Sequence, residues 1–340
     1  MNDAIDSAAD RTVDSQHVLS VVVPVYNEEA VLAEFHARLA RVLDPLTLTA
    51  EVIYINDGST DRTAAILEEL RAADPRIAIL DLSRNFGKEL AMTAGLDYAC
   101  GDAVVVIDAD LQDPPELIPD MLDEWQKGYD VVYMQRRTRR GETWFKRFTA
   151  FAFYKVMSRL GRVPIPENVG DFRLLDRRAV LALRRLREEN RFMKGLFAWI
   201  GYRQKALPYD RDERFAGTTK WNYFRLWTLS LEGITSFSTA PLQMASYMGL
   251  LTAGGAFLFG VWIVIKTLLF GEPVRGYPTM MVVILFLGGV QLIAIGILGE
   301  YIGRMFMETK RRPLYLLKAE IPADTTRERR QAREENATDG

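Results

Sequence analysis

Residues 242–270 and 279–306 are each long enough to cross about 30 Å of hydrocarbon as a helix, and neither carries a charge in its middle. A chain with two such segments so close together forms a membrane hairpin or buries the pair as a helical hairpin in a soluble core. Charge favours the first. The connecting loop, Gly271 to Pro278, is short and holds a single Arg, whereas Lys220 and Arg225 precede the pair and Arg304, Lys310, Arg311 and Arg312 close it. By the positive-inside rule both flanks face the cytoplasm, so the expectation is a multi-pass protein of the cell inner membrane with everything upstream on the cytoplasmic side. Gln291 and Glu300 read as polar groups facing the helix partner, or, for Glu300, as a residue near the interface.

The first part of the chain has a different rhythm. Short β-branched runs at 18–25, 51–56, 76–82, 103–108 and 129–134 alternate with segments of helical apolar spacing at 28–43, 60–73 and 86–99. This pattern predicts an α/β fold, a mostly parallel, Rossmann-like sheet covered on both faces. Gly58, Gly87, Gly101 and Gly128 mark the turns. The formal charge of -2 gives no reason to expect a nucleic-acid partner. One cysteine, Cys100, excludes an intrachain disulfide framework and a four-Cys zinc site, and its apolar surroundings predict a small core residue. The amino terminus lacks a basic segment followed by an apolar one, so no cleavable signal peptide is expected.

Chemistry concentrates at the ends of the β-branched runs. The fourth ends Val-Val-Val-Ile-Asp-Ala-Asp-Leu-Gln-Asp, placing Asp108, Ala109, Asp110 and Gln112 where ligands of open α/β sheets gather. Hard divalent cations take oxygen ligands, and Mg2+ or Mn2+ is commonly held by one or two carboxylates while substrate phosphates complete the shell. The predicted cargo is a metal-bound diphosphate. The first run ends Pro24-Val25-Tyr26-Asn27-Glu28-Glu29, placing a ring and an acidic group at a strand-to-helix turn, where an aromatic is able to stack on a base. The second ends Ile55-Asn56-Asp57-Gly58-Ser59-Thr60-Asp61, where Asp57 is placed to accept from a nucleobase or ribose. Ser59 or Thr60 there reads as a helix cap with Asp61 in the first turn.

With VVPVYNEE, INDGSTD, LSRNFGKELAMTAGLDYA, DADLQDPPE and the later RFAGTTKW, the chain from about Leu19 to Phe306 resembles glycosyltransferase family 2. The likeness is closest to its polyprenyl-phosphate glycosyltransferases, of the dolichyl-phosphate mannose synthase and bacterial GtrB types. The resemblance implies a GT-A-type fold. It implies that Pro24, Tyr26, Glu28, Ile55 and Asp57 hold the nucleotide, that Asp108 contacts ribose or metal, and that Asp110 and Gln112 are ligands of Mg2+ or Mn2+. Arg214 and Lys220 would bind the diphosphate or sugar, with Thr219 where the family pattern has Ser. Arg136 is the first candidate for the acceptor phosphate, with Lys146 or Arg147 second, and Asp171 matches an acidic position that would place acceptor or sugar hydroxyls. Asp113 stands where dolichyl-type members often have His. The partners implied are a nucleotide-sugar donor, a polyprenyl-phosphate acceptor and membrane lipid, in a homo-oligomer.

The expected organisation is a disordered lead at 1–16, a cytoplasmic catalytic domain at 17–220, a juxtamembrane amphipathic segment at 221–240, a transmembrane hairpin at 241–307 and a charged tail at 308–340. Residues 142–160 and 221–237 mix aromatic and basic side chains as interfacial helices do, or as helices packed on the sheet do. The expected activity moves a hexose, with UDP-glucose the first candidate donor, to undecaprenyl or dolichyl phosphate with inversion. A processive polysaccharide synthase is the nearest rival, but the chain has no Arg-Trp pair and only two spans. A non-catalytic scaffold would be expected to have lost metal ligands, and a nucleotidyltransferase would carry Gly-rich nucleotidyl motifs that are missing here.

Overall fold

A computed structural model of the chain describes residues 17–137, 168–189, 191–210, 240–270 and 276–329. The lead at 1–16, both aromatic and basic segments, Arg214, Lys220, Lys146 and Arg147 lie outside these residues. The described residues form two compact units. One holds the sheet, the shorter helices and the stretch from Pro313 onward, and the other holds two long apolar helices.

The first unit is built on an eight-stranded sheet of order β7-β5-β6-β4-β1-β2-β3-β8. Its strands are β1 (Val18–Val25), β2 (Thr49–Asn56), β3 (Ile77–Leu82), β4 (Ala103–Val106), β5 (Val131–Arg136), β6 (Val169–Asp176), β7 (Gln204–Tyr209) and β8 (Leu317–Ile321). β1 pairs in parallel with β2 and β4, β2 with β3, and β5 with β7, while β6 runs antiparallel between β4 and β5. The expected mostly parallel sheet is therefore present, with β6 and β8 reversed. Because β1 is flanked by β2 and β4, the strand order reverses direction at β1/β4, the place where open α/β sheets bind ligands.

The helices are α1 (Leu32–Leu43), α2 (Thr63–Ala73), α3 (Lys88–Tyr98), α4 (Ile118–Gln126), α5 (Arg177–Arg185) and α6 (Met193–Trp199). α1 buries Leu32, Phe35, His36, Leu39, Val42 and Leu43, one face at helical spacing, as the sequence period predicts. α3 differs. It is buried nearly all round, and its small residues let it press against the sheet: a Cβ on Gly95 would lie 2.4 Å from Val22 Cγ1 and 2.7 Å from Ile55 Cδ1. Its last carbonyls, on Leu96 and Ala99, accept from Arg184, and Ala99 also accepts from Arg177, so the carboxyl end carries cations that complement the helix dipole. α3 is thereby fixed along its length with its amino end at the sheet's carboxyl rim. Cys100 is buried and unbridged just beyond it, as expected.

The described part of the expected charged tail, residues 308–329, is not wholly solvated. After the second long helix, residues 317–321 add β8 antiparallel to β3, and Asp324–Thr326 form a short 3-10 turn. Thr326 Oγ1 donates to Glu51 Oε2 at 2.7 Å, inside the core. The other Glu51 oxygen accepts from Cys100 N at 2.9 Å and from the Ser20 hydroxyl. Charge density concealed this: the exposed face of β8 carries Lys318 and Glu320, and its partner strand lies far away in sequence.

The second unit holds α7 (Ala240–Phe270) and α8 (Tyr277–Lys310), which pack on each other. Both spans expected from the sequence fall inside these helices. Their apolar windows, Ala245–Trp262 and Phe286–Lys310, have none of their length buried, and Leu251, Leu258, Leu268, Leu292 and Ile302 stand exposed. A soluble core hairpin would bury those side chains, whereas a hydrocarbon surround is satisfied by them.

Candidate active site

Three loops meet at the carboxyl rim. Val25 pairs with Asn56 at the ends of β1 and β2, and Asp57 N donates to Val25 O at 3.0 Å. Asn27, in left-handed backbone at φ 55°, ties the two loops together: its amide donates to Ser59 Oγ at 3.0 Å and its Oδ1 accepts from Thr60 N at 2.8 Å. Ser59 and Thr60 thus stitch loops instead of capping α2, and Asp61 accepts from Thr63 N at 3.0 Å. Tyr26 stands 45% exposed beside this seam, free to receive a flat ring. Pro24 is half-buried within β1. Glu28 donates its amide to Thr63 Oγ1 at 2.9 Å. Ile55 is fully buried with its side chain against α3, so any contact it makes with a ligand runs through its backbone.

Asp57 is buried and accepts from Phe86 N at 2.7 Å and Gly87 N at 2.9 Å. Burial pushes its pKa up against those two amides and Arg84. It therefore shapes the loop leading into α3 as well as facing the rim. Gly58 makes this packing possible, with φ +68° and a Cβ position only 2.6 Å from Arg84 C and Asn85 N. Gly58→Ala is expected to cost about 2 to 4 kcal/mol through left-handed strain plus backbone overlap. Thermal melting checks the stability loss, and titration with UDP checks the accompanying loss of nucleotide binding.

The third loop follows β4. Ile107 N donates to Val22 O at 3.1 Å, extending the pairing by one residue, and Asp108 stands just past it. Leu111 has φ 61°, costly for a bulky residue, and its buried side chain anchors a reversal between Asp110 and Gln112, whose amide donates to Asp110 Oδ1 at 3.1 Å. Ala109 is buried in the core beneath. The described residues bring together no group of three or more His, Cys, Asp or Glu able to enclose a metal. Two carboxylates and an amide oxygen are nonetheless hard donors, suited to an Mg2+ or Mn2+ ion whose shell is completed by substrate phosphate.

Asp108 faces a partner that the sequence did not announce. Lys88, the first residue of α3, places Nζ 2.7 Å from Asp108 Oδ2 and 2.5 Å from Asp171 Oδ2. Burial raises the Asp108 pKa against the Lys88 charge. At Asp171 burial acts in the same sense, but Lys88 and Lys194 outweigh it and hold the carboxyl well below the usual range. Asp171 Oδ1 is buried without a hydrogen-bond partner among the described residues. Glu89, whose Oε2 accepts from Met193 N at 3.0 Å, is pushed up to about 7 by burial and by Asp171. Beneath them the buried Arg173 guanidinium lies 3.7 Å over the Phe197 ring and donates to Gly170 O at 2.8 Å, fixing the backbone that carries Asp171.

Arg136 joins the same cluster. Its Nη2 is 3.1 Å from where a Gly170 Cβ would sit, and its Nε donates to Tyr209 Oη at 3.3 Å, while Tyr209 Oη donates to buried Asp113. The structure thus assembles Asp108, Asp171 and Arg136 with Lys88, Glu89, Arg173 and Lys194. The last four were not singled out from the sequence. The one available signal was Gly-Lys-Glu at the start of a helix, immediately after the loop that Asp57 holds.

Comparison with known proteins identifies the family. The model for "Glycosyl transferase family 2" matches residues 20–184, and that for "GtrB C-terminal hairpin" matches residues 240–305. An uncharacterised glycosyltransferase of Synechocystis is 54% identical over 299 residues, covering 88% of this chain and 94% of the relative. A bactoprenol glucosyl transferase of Shigella phage SfX is 50% identical over 88% of this chain and 99% of its own length. A prophage bactoprenol glucosyl transferase homolog of Escherichia coli is 48% identical, over 88% and 98% respectively.

Proposed function

The chain belongs to glycosyltransferase family 2 and is a membrane-associated glycosyltransferase, and from that premise we propose that it moves a hexose from a nucleotide sugar to a polyprenyl phosphate at the cytoplasmic membrane face. UDP-glucose is the first candidate donor, and the displacement is single and inverting. The observation that carries this reading is that one chain combines Asp108 and Asp110 at the β1/β4 reversal with a pair of long, unburied apolar helices. The names of the bactoprenol glucosyl transferase relatives point to the same acceptor.

Tyr26 and the loops around Asp57 receive the nucleoside, the exposed ring by stacking and the rim by hydrogen bonds. Asp108, Asp110 and Gln112 would hold Mg2+ or Mn2+, which when bound supplies positive charge to the leaving diphosphate. Arg214 and Lys220 remain candidates for the diphosphate or sugar. An acceptor phosphate oxygen is already ionised near neutral pH, so the reaction needs orientation more than a strong base. Arg136 suits that oxyanion, being a planar donor held by Tyr209 beside Gly170. Asp171, kept anionic by its lysines, has an oxygen left over to accept a sugar hydroxyl.

Incubating the purified protein and undecaprenyl phosphate with a panel of radiolabelled UDP and GDP sugars, with Mn2+ or EDTA, tests this directly. Label is expected to enter the organic phase from a UDP-hexose and to stay aqueous with EDTA. Absence of lipid label with every donor overturns the acceptor assignment, and full transfer after rigorous demetallation overturns the metal.

A further inference from the structure

The proposed reaction leaves Lys88 without a task, although among the described residues it is the cation that bridges two carboxylates at the rim. Its ammonium bridges Asp108 and Asp171 at 2.7 and 2.5 Å, and those side chains are only 22% and 11% exposed. It sits at the amino end of α3, where the helix dipole adds positive potential. The helix has no freedom to withdraw it. Gly95 seats α3 against Val22 and Ile55, the Arg177 and Arg184 guanidiniums hold its far end, and Asp57 holds the Phe86 and Gly87 amides before it. Only the flexible side chain is able to move.

We propose that Lys88 is a positioning residue that occupies Asp108 in place of a divalent cation, so that the site takes up metal together with the nucleotide and not alone. This rests on the metal assignment of the preceding reading and adds an order of binding to it. A bare divalent ion approaching Asp108 meets an ammonium already paired with it, in surroundings where charges interact more strongly than in water. A nucleoside diphosphate brings negative charge of its own. It reverses that balance, gives the displaced ammonium a phosphate to face, and leaves Lys88 with Asp171 as its remaining anchor. Asp171 Oδ1, buried and unpartnered, shows that this carboxylate is not saturated by the lysine.

Mn2+ binding to the purified full-length chain, followed by the electron paramagnetic resonance signal of free Mn2+ with and without UDP, distinguishes the possibilities. Wild type is expected to bind Mn2+ weakly alone and at least about tenfold more tightly with UDP. Lys88→Met is expected to tighten binding of Mn2+ alone by about tenfold or more, bringing the ratio of affinities with and without UDP towards one, and Lys88→Arg is expected to behave as wild type. Lys88→Gln, which keeps a polar head for both carboxylates, gives the same readout where Met leaves the pair too bare to fold. A lysine with a purely structural role would loosen metal binding when removed. Unchanged or weaker Mn2+ binding in the neutral variants, with Asp110→Asn still abolishing the Mn2+–UDP complex, overturns the Lys88 proposal and leaves the metal assignment standing. Wild-type Mn2+–UDP binding by Asp110→Asn removes both.

Discussion

Asp110→Asn is expected to lower sugar transfer to lipid by about 10^3-fold or more, roughly 4 kcal/mol in the barrier, while the protein melts within a few degrees of wild type. The separation follows from what each oxygen of Asp110 does. One accepts from the Gln112 amide and shapes the reversal at Leu111, and an asparagine carbonyl does this equally well. The negative charge with which Asp110 would hold the proposed cation is lost outright. Asp108→Asn is a less clean experiment, because Asp108 also pairs with Lys88 and its neutralisation unbalances a half-buried cluster. Lipid extraction of radiolabel reads the activity and thermal melting in detergent reads the fold. Normal transfer by Asp110→Asn would remove the metal from the reading.

Ending the chain at Arg312 is expected to lower the stability of the sheet unit by about 3 to 5 kcal/mol or more, about ten degrees in melting temperature for a unit of this size. The truncation strips β8 from the edge of β3 and removes Thr326 from Glu51. It also removes Lys318 from Asp81 at 3.0 Å, Arg329 from Asp102 at 2.6 Å and Tyr315 from Asp97 at 3.0 Å. The surface pairs contribute little each. Glu51 dominates, because it is wholly buried and one of its oxygens would be left without a donor. Thr326→Val isolates that single bond and is expected to cost about 1 to 3 kcal/mol. Melting of the truncated chain at the wild-type temperature would show the segment to be dispensable.

The sequence made the central sheet legible because parallel strands buried on both faces read as continuous β-branched runs. β1 to β4 and α1 to α3 lie within a few residues of their expected places, and the loops at Tyr26, Asp57 and Asp108 share the rim that their positions at strand ends implied. The spans were legible for a similar reason, since hydrocarbon admits few charges over that length. What stayed hidden depends on partners distant in the chain. β6, Val-Gly-Asp-Phe-Arg-Leu-Leu-Asp, has a charged residue inside a buried strand, intelligible only once Phe197 is seen under Arg173. Glu51 likewise sits within an apolar strand because Ser20, Cys100 and Thr326 supply its hydrogen bonds. Lys88 occupies a helical position that suits any surface lysine, and only the approach of β4 and β6 to the start of α3 joins it to two carboxylates.

The late return of the chain as β8 also sets an order of manufacture. A ribosome makes Leu317–Ile321 and Thr326 only after it has made both long apolar helices, so the sheet cannot acquire its last edge or satisfy Glu51 until the hairpin has left the exit tunnel. Completion of the enzyme is thereby deferred until its anchor exists, and nascent chains interrupted within the anchor lack a finished catalytic half.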